Sequence, residues 1–135
     1  MDLICWDNTP SGYVLGIRVQ SPEGGWHSPD EELVQLDTGY DGELLVPWQL
    51  YDELRLYRWE YPQRFWAQGH TVSGATIQLC LSEGGEIPRA NVKRQVFIDS
   101  FAGNEEFLLG RAFLNGLQVL LNGQADRTCL LVEEQ

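Results

Sequence analysis

The sequence predicts a small all-β domain, and three observations carry this prediction. The chain has 135 residues, of which 43% are apolar, so it is long enough for one domain with one core, over residues 1–135. Short apolar runs alternate along it with clusters of Gly, Pro, Asn, Asp and Ser, which indicates about eight to ten short strands. One or two stretches suit a short helix. The pattern favours a closed or sandwich-like β domain.

The first predicted strands surround a turn. Residues Tyr13–Gln20 end in an alternation of apolar and polar side chains, and the polar cluster at 8–12 predicts a hairpin between this strand and Leu3–Trp6. The later apolar runs predict strands at Leu33–Leu36, Glu43–Val46, Thr71–Leu81, Val92–Ile98, Phe107–Gly110, Leu117–Leu121 and Thr128–Val132.

Two stretches predict helical turns. Pro47–Leu56 begins with a proline, which is favoured at the first helical position, and spaces its apolar residues as a helix does. Arg111–Asn115 suits a single turn that Gly116 would end.

Charge and hydropathy exclude several classes of function. The formal net charge is −11, which repels phosphate, so nucleic acid is not an expected partner. The apolar runs are too short to cross a bilayer, and the N-terminal residues lack the basic start of a secretory signal. We therefore expect no membrane association.

The three cysteines predict no disulfide. Cys5, Cys80 and Cys129 are odd in number and widely spaced, and each neighbours apolar residues, so we interpret them as small buried hydrophobes. A reducing, cytoplasmic location is the corresponding expectation. His27 and His70 are distant from the cysteines in sequence, so no metal and no cofactor is expected.

The segment L-V-Q-L-D-T-G-Y-D-G-E-L-L-V-P, residues 33–47, is the main candidate for a functional site. Asp-Thr-Gly is a good turn sequence by itself, because Asp bonds its own backbone and Gly tolerates a positive φ. Here the turn also follows an apolar strand, which places the Asp37 carboxylate at the mouth of a buried β structure. A second apolar run, Phe107–Gly110, ends in glycine later in the chain.

These two elements together resemble the retropepsin-like aspartic proteases. In that family an apolar-apolar-Asp-Thr/Ser-Gly turn is crossed by a later apolar-apolar-Gly segment, and L-L-G-R-A-F-L at 108–114 is similar to the second element. The resemblance covers about Tyr13 to Asn122. It implies a closed acid-protease barrel that forms one half of a symmetric homodimer, because the chain holds a single D-T-G.

The resemblance also implies roles for individual residues. Asp37 would be the catalytic carboxylate, Thr38 would bond to the other subunit, and Gly39 would let the substrate backbone approach. Asp41 matches a position that touches substrate main chain. Arg111, which follows the structural Gly110, would form an ion pair with Asp41, either as a purely structural contact or with a part in substrate binding.

A flap that closes over the cleft is expected at residues 65–74, where Gly69, His70 and Thr71 would face substrate. The aromatic-rich stretch 48–66 would form either a lid or dimer contact, which we favour, or a hydrophobic wall over the cleft. Tyr40 departs from the family, which more often has Ala or Ser after D-T-G, and its bulk would crowd a subsite or the catalytic water.

Three functions therefore compete. The first is a homodimeric aspartic endopeptidase that cleaves peptide bonds flanked by apolar or aromatic residues, with one Asp37 from each subunit. The second is a catalytically inactive module of the same fold that binds a peptide or protein, and the bulk of Tyr40 favours it. The third is an unrelated monomeric β-sandwich in which D-T-G is only a turn. The intact Asp37, Thr38 and Gly39 favour the first.

Overall fold

The computed structural model of the chain describes residues 2–20, 31–53, 66–67, 70–79 and 92–132, and strands dominate these ranges. This confirms the mostly-β class. The strands are β1 (Asp2–Asp7), β2 (Val14–Gln20), β3 (Glu32–Asp37), β4 (Leu44–Leu45), β5 (Trp66–Ala67), β6 (His70–Leu79), β7 (Val92–Ser100), β8 (Leu108–Gly110), β9 (Gln118–Asn122) and β10 (Arg127–Val132). The helices described are α1 (Trp48–Glu53) and α2 (Arg111–Leu114).

Seven strands form one sheet in the order β2-β3-β8-β4-β7-β6-β5. Strand β8 lies between β3 and β4, although β3 and β4 are neighbours in sequence. It runs parallel to β3 and antiparallel to β4. Strand β4 in turn runs parallel to β7. The late segment 108–110 is thereby held between the two strands that flank the D-T-G turn.

The large sheet curls into a half-barrel, so the expected closed barrel is wrong. Strand β2 divides its length between two neighbours, pairing with β3 over Val14–Ile17 and with β6 over Ile17–Gln20. The two ladders meet at Ile17. Strand β2 therefore contacts β3 with one half and β6 with the other, and neither pairing runs along the whole strand.

The remaining strands form a separate sheet in the order β1-β10-β9. The predicted hairpin between Leu3–Trp6 and the next strand is therefore wrong, because β1 pairs with β10 over six residues, from Asp2 opposite Val132 to Asp7 opposite Arg127. The 8–12 turn directs the chain away from β1, and Asn8 bonds instead to Asp126, its amide donating to the Asp126 carbonyl at 2.9 Å.

A disulfide joins Cys5 on β1 to Cys129 on β10. This overturns the prediction that these cysteines are free hydrophobes. The antiparallel register places the two residues directly opposite each other, and the sequence gives no local sign of that pairing. The expectation of a reducing, cytoplasmic location rested on free cysteines and loses its premise. Cys80 lies outside the described residues.

The core lies between the curled sheet and the small sheet. Strand β2 is buried at consecutive positions, including Val14, Leu15 and Ile17, and Trp6 of β1 and Phe113 of α2 are fully buried in the same core. Each fully buried side chain of this size contributes about 1.5–3 kcal/mol. The buried cluster consists of Ile4, Trp6, Val14, Leu15, Ile17, Val19, Val34, Leu44, Val46, Tyr51, Val96, Ile98, Leu109, Phe113 and Leu130.

The predicted helix at Pro47–Leu56 is present as α1, which begins at Trp48, one residue later than predicted, and a buried asparagine holds its start in place. The Trp48 amide donates to the Asn104 carbonyl at 2.9 Å, and Asn104 Nδ2 donates to the Val46 carbonyl at 2.6 Å. Trp48 stacks on Tyr51 with ring centroids 5.4 Å apart. The predicted lid or wall of aromatics at 48–66 falls mostly outside the described residues. Within those residues, no helix has the length and apolar character needed to cross a membrane.

Candidate active site

Asp37 is the last residue of β3 and lies directly opposite Gly110, the last residue of β8. Its carboxylate closes the turn, because Oδ1 accepts the Gly39 amide at 2.9 Å, while its carbonyl accepts the Tyr40 amide at 3.1 Å. This is the Asx-type bonding that favours Asp at the head of a turn. Asp37 is half-buried, and Thr38 and Gly39 are exposed. The turn thus presents a fixed carboxylate beside an open surface.

The loop after the turn is bonded along its length to the segment that begins at Gly110. The Gly110 amide donates to the Glu43 carbonyl at 2.9 Å, and the Arg111 amide donates to the Tyr40 carbonyl at 2.8 Å. The Ala112 amide reaches the Gly42 carbonyl at 3.2 Å. The two segments that the sequence analysis brought together therefore lie side by side.

Gly110 is required by close approach. A Cβ at this position would collide with the Gly42 carbonyl oxygen and would lie 2.6 Å from Tyr40 Cδ2 and 2.8 Å from the Tyr40 carbonyl oxygen. Two of these three neighbours are backbone atoms, which cannot rotate away. The structural role predicted for Gly110 thus has a specific cause, which is that the loop 40–43 passes directly over it.

Tyr40 anchors the loop to β7. Its hydroxyl donates to Asp99 Oδ2 in a short hydrogen bond, and Gly42 leaves the room for this contact, since a Cβ there would strike the Tyr40 hydroxyl and lie 2.8 Å from Asp99 Oδ2. Burial raises the pKa of Tyr40 above its usual range, and the hydrogen bond and charge of Asp99 and the charge of Glu43 raise it further. Tyr40 is therefore neutral and donates.

Glu43 makes a second connection to β7. Its Oε2 accepts the Phe97 amide at 2.6 Å. The sequence did not predict Glu43, Asp99 and Gly42 as supports of the turn. The sequence did contain a signal for Gly42. It lies two residues after the bulky Tyr40, and a glycine there, like Gly110, leaves space for the tyrosine ring. Nothing in the sequence singled out Asp99 from the other acids.

The predicted ion pair between Asp41 and Arg111 is confirmed. Arg111 Nη2 lies 2.8 Å from Asp41 Oδ1, and the two side chains are 62% and 80% exposed. An exposed pair of this kind adds less than about 1 kcal/mol to stability. Both groups remain accessible from solvent.

The predicted flap is described only in its backbone. Strands β5 and β6 form an antiparallel hairpin in which Ala67 pairs with His70 and Trp66 pairs with Thr71. Thr71 also lies opposite Ser100 of β7. Gly69 falls outside the described residues, and the predicted contacts of His70 and Thr71 with substrate stay predictions.

The chemistry available at this site is that of a carboxylate. Among the residues that the structure describes, no group of three or more His, Cys, Asp or Glu side chains is placed to hold a metal ion. A single carboxylate on a rigid turn accepts a proton, but splitting an amide by acid–base chemistry also needs a proton donor.

The sequence was compared with protein families and with known proteins. No family model matches the chain. Over 110 residues the chain is 29% identical to a protein of Archaeoglobus fulgidus that is described as uncharacterized, and the similarity covers 78% of this chain and 77% of that protein. The similarity thus extends over most of both chains, and it does not indicate an activity for this protein.

Proposed function

We propose that the protein is a homodimeric aspartic endopeptidase of the retropepsin-like type, with one Asp37 from each subunit in a shared site. The observation that carries the proposal is the parallel register that sets Asp37 of β3 opposite Gly110 of β8. The family resemblance implies that an apolar-apolar-Gly segment crosses the D-T-G turn, and this register supports that expectation.

The exposure of the turn supports the dimer. Thr38 and Gly39 are exposed while Asp37 behind them is half-buried, so a second copy can approach the turn without displacing the core. The dimer contact proposed here centres on the turn.

The mechanism follows from placing two carboxylates together. At a separation of about 3 Å they cannot both ionise cheaply, so they hold one proton between them, as in aspartic proteases generally. The ionised Asp37 would take a proton from a water, and the protonated partner would donate to the carbonyl oxygen of the peptide bond. Water would attack the carbonyl carbon directly to give a tetrahedral diol, with no covalent intermediate on the enzyme. The C–N bond would then break as the carboxyl that took the proton from water gives it to the amine nitrogen, while the other carboxylate takes back a proton from the diol.

The contacts of Tyr40 bear on the choice between the endopeptidase and the inactive binding module of the same fold. The expectation that Tyr40 crowds the water favoured the binding module. Its hydroxyl is instead bonded to Asp99, and its ring packs over Gly110. A side chain used in this way supports the turn, and this argues for the endopeptidase.

Cleavage of a diverse peptide library between about pH 3 and 7 tests the proposal, with the wild type compared with Asp37→Asn. We expect cleavage by the wild type and none by Asp37→Asn, with the same dimer mass for both. Asp52→Asn, an exposed acid on α1, is the matched control and should cleave normally. A stable dimer without cleavage in any variant would favour the binding module, and a monomer would favour the unrelated β domain.

A further inference from the structure

A cavity of about 300 Å³ lies where β2, β3 and β8 meet the turn that follows β1. Its volume lies at the lower end of the range for ligand sites, which suits a side chain better than a cofactor. The cavity is lined by Thr9, Ser11, Val14, Leu33, Gln35, Glu106, Phe107 and Leu108.

The register of the sheet relates this cavity to the candidate catalytic carboxylate. Side chains along a strand alternate between faces, so Gln35 in the cavity wall and Asp37 lie on the same face of β3. Gln35 pairs with Leu108 just as Asp37 pairs with Gly110. The Cα atoms of Gln35 and Asp37 are about 7 Å apart, the repeat of an extended chain. A peptide that runs from Asp37 along β3 would therefore bring a neighbouring side chain to the cavity.

Three kinds of residue line the cavity. Val14, Leu33, Phe107 and Leu108 form an apolar wall, Thr9, Ser11 and Gln35 are polar and uncharged, and Glu106, which is exposed, carries the acidic group. Lysine and arginine side chains match this combination, since they bury an apolar stem and keep a charged end in water. The net charge of −11 favours the approach of a cation as well.

The backbone around Glu106 is fixed. Its amide donates to Asn104 Oδ1 at 3.1 Å and its carbonyl accepts from Asn104 Nδ2 at 3.1 Å. Asn104 is itself buried and bonds to the Val46 carbonyl. The carboxylate of Glu106 therefore projects from a rigid loop, as a specificity residue must if it is to select one substrate over another.

We propose that this cavity binds a lysine or arginine side chain of the substrate next to the cleaved bond, and that Glu106 determines this preference. The inference rests on the proposed endopeptidase function and names its substrate class. The expected preference for apolar or aromatic flanking residues is thereby replaced at this one position, while the apolar wall still accepts the stem of the basic side chain.

A pair of matched peptides tests the proposal. They differ only in lysine against norleucine, which keeps the stem and removes the charge, at the position beside the cleaved bond. We expect wild-type kcat/KM to favour lysine by about tenfold or more. Glu106→Gln should abolish the preference and Glu106→Lys should reverse it. Glu105→Gln, which changes the exposed acid next in sequence, should keep it. Equal rates for both peptides in the wild type, or the same loss in both Gln variants, would overturn the proposal.

A binding measurement separates this proposal from the catalytic one. Asp37→Asn is titrated by calorimetry with the two peptides, and no turnover is needed. The cavity proposal is supported if Asp37→Asn binds the lysine peptide more tightly than the norleucine peptide and if adding Glu106→Gln removes this difference. If that result comes with no cleavage by the wild type, only the catalytic proposal fails. Equal affinity for the two peptides would overturn the cavity proposal even if cleavage is found.

Discussion

The Tyr40 hydroxyl donates a hydrogen bond to the Asp99 carboxylate, and this contact joins the loop after the D-T-G turn to β7. The same tyrosine accepts the Arg111 amide through its carbonyl and donates its amide to the Asp37 carbonyl. One residue therefore links three parts of the candidate site. Its hydroxyl bond is the part that mutation can remove without changing the shape of the side chain.

Tyr40→Phe should lower the free energy of unfolding by about 1–3 kcal/mol, the range for a hydrogen bond to a charged partner. Urea denaturation measures the change, read as a lower midpoint at an unchanged slope. Tyr51→Phe is the matched control, because the buried Tyr51 hydroxyl has no hydrogen-bond partner in the described part of the chain. It should leave stability unchanged or raise it. Equal losses in the two variants would contradict a specific role for the Tyr40–Asp99 bond.

The raised pKa of Tyr40 predicts a loss of stability in alkali. In the unfolded chain this phenol ionises near pH 10, while in the native state it holds its proton to higher pH. Above about pH 10 the native state therefore binds more protons than the unfolded state, so the unfolding free energy falls as pH rises. The contribution is complete below that pH.

This alkaline loss is measured by denaturation across the window from about pH 9 to 11. The wild type should lose stability more steeply than Tyr40→Phe, by at most about 1.4 kcal/mol per pH unit for one proton. Parallel curves for the two proteins would show that Tyr40 ionises as readily in the native state as in the unfolded chain, contrary to the expectation.

Gly110→Ala should be among the most damaging single-methyl changes in the chain. The added Cβ meets the backbone of the loop 40–43, and such overpacking costs about 1–3 kcal/mol or more. Gly39→Ala is the matched change in the exposed turn, where the nearest atom is Asp37 Oδ1 at 3.1 Å, and should cost less. Thermal unfolding compares them. A Gly110→Ala protein as stable as Gly39→Ala would mean that the two segments are not in close contact.

The Cys5–Cys129 disulfide should contribute about 2–4 kcal/mol to stability, because it joins residues separated by 124 positions in sequence. Two proteins are compared, both carrying Cys80→Ser. In the first, Cys5 and Cys129 are present and oxidised; in the second, both are changed to Ser. Urea denaturation gives the difference, and mass spectrometry after alkylation counts the free thiols. Two alkylated cysteines in the untreated Cys80→Ser protein would contradict the presence of this disulfide.

The sequence predicted the elements better than their partners. Strands such as β3 and β8 were found because each is a short apolar run that ends in a turn, and this pattern is local. The partner of β1 was wrong because the strand that it pairs with, β10, lies at the other end of the chain, and the intervening turn at 8–12 suggested a nearer one. The disulfide was missed for the same reason, since it depends on that long-range register.

The candidate site divides in a similar way. The register of Asp37 with Gly110 and the ion pair of Asp41 with Arg111 were predictable, because each follows from two short local patterns in the sequence. Asp99 was not, because it is one acid among 20 acidic residues and becomes special only when the fold brings β7 under the loop. Tyr40 was interpreted as an obstacle, since the sequence does not show where a side chain points.

The most direct test of the central claim counts how many Asp37 carboxylates each active site needs. Wild type and Asp37→Asn are mixed in varied ratios at constant total concentration, allowed to exchange subunits, and assayed on a peptide that the wild type cleaves. If both carboxylates of a dimer are required, activity follows the square of the wild-type fraction. Activity proportional to the wild-type fraction would show that each subunit acts alone, and activity that rises above that line would show that one Asp37 per dimer is sufficient. Either result would contradict the requirement for two carboxylates.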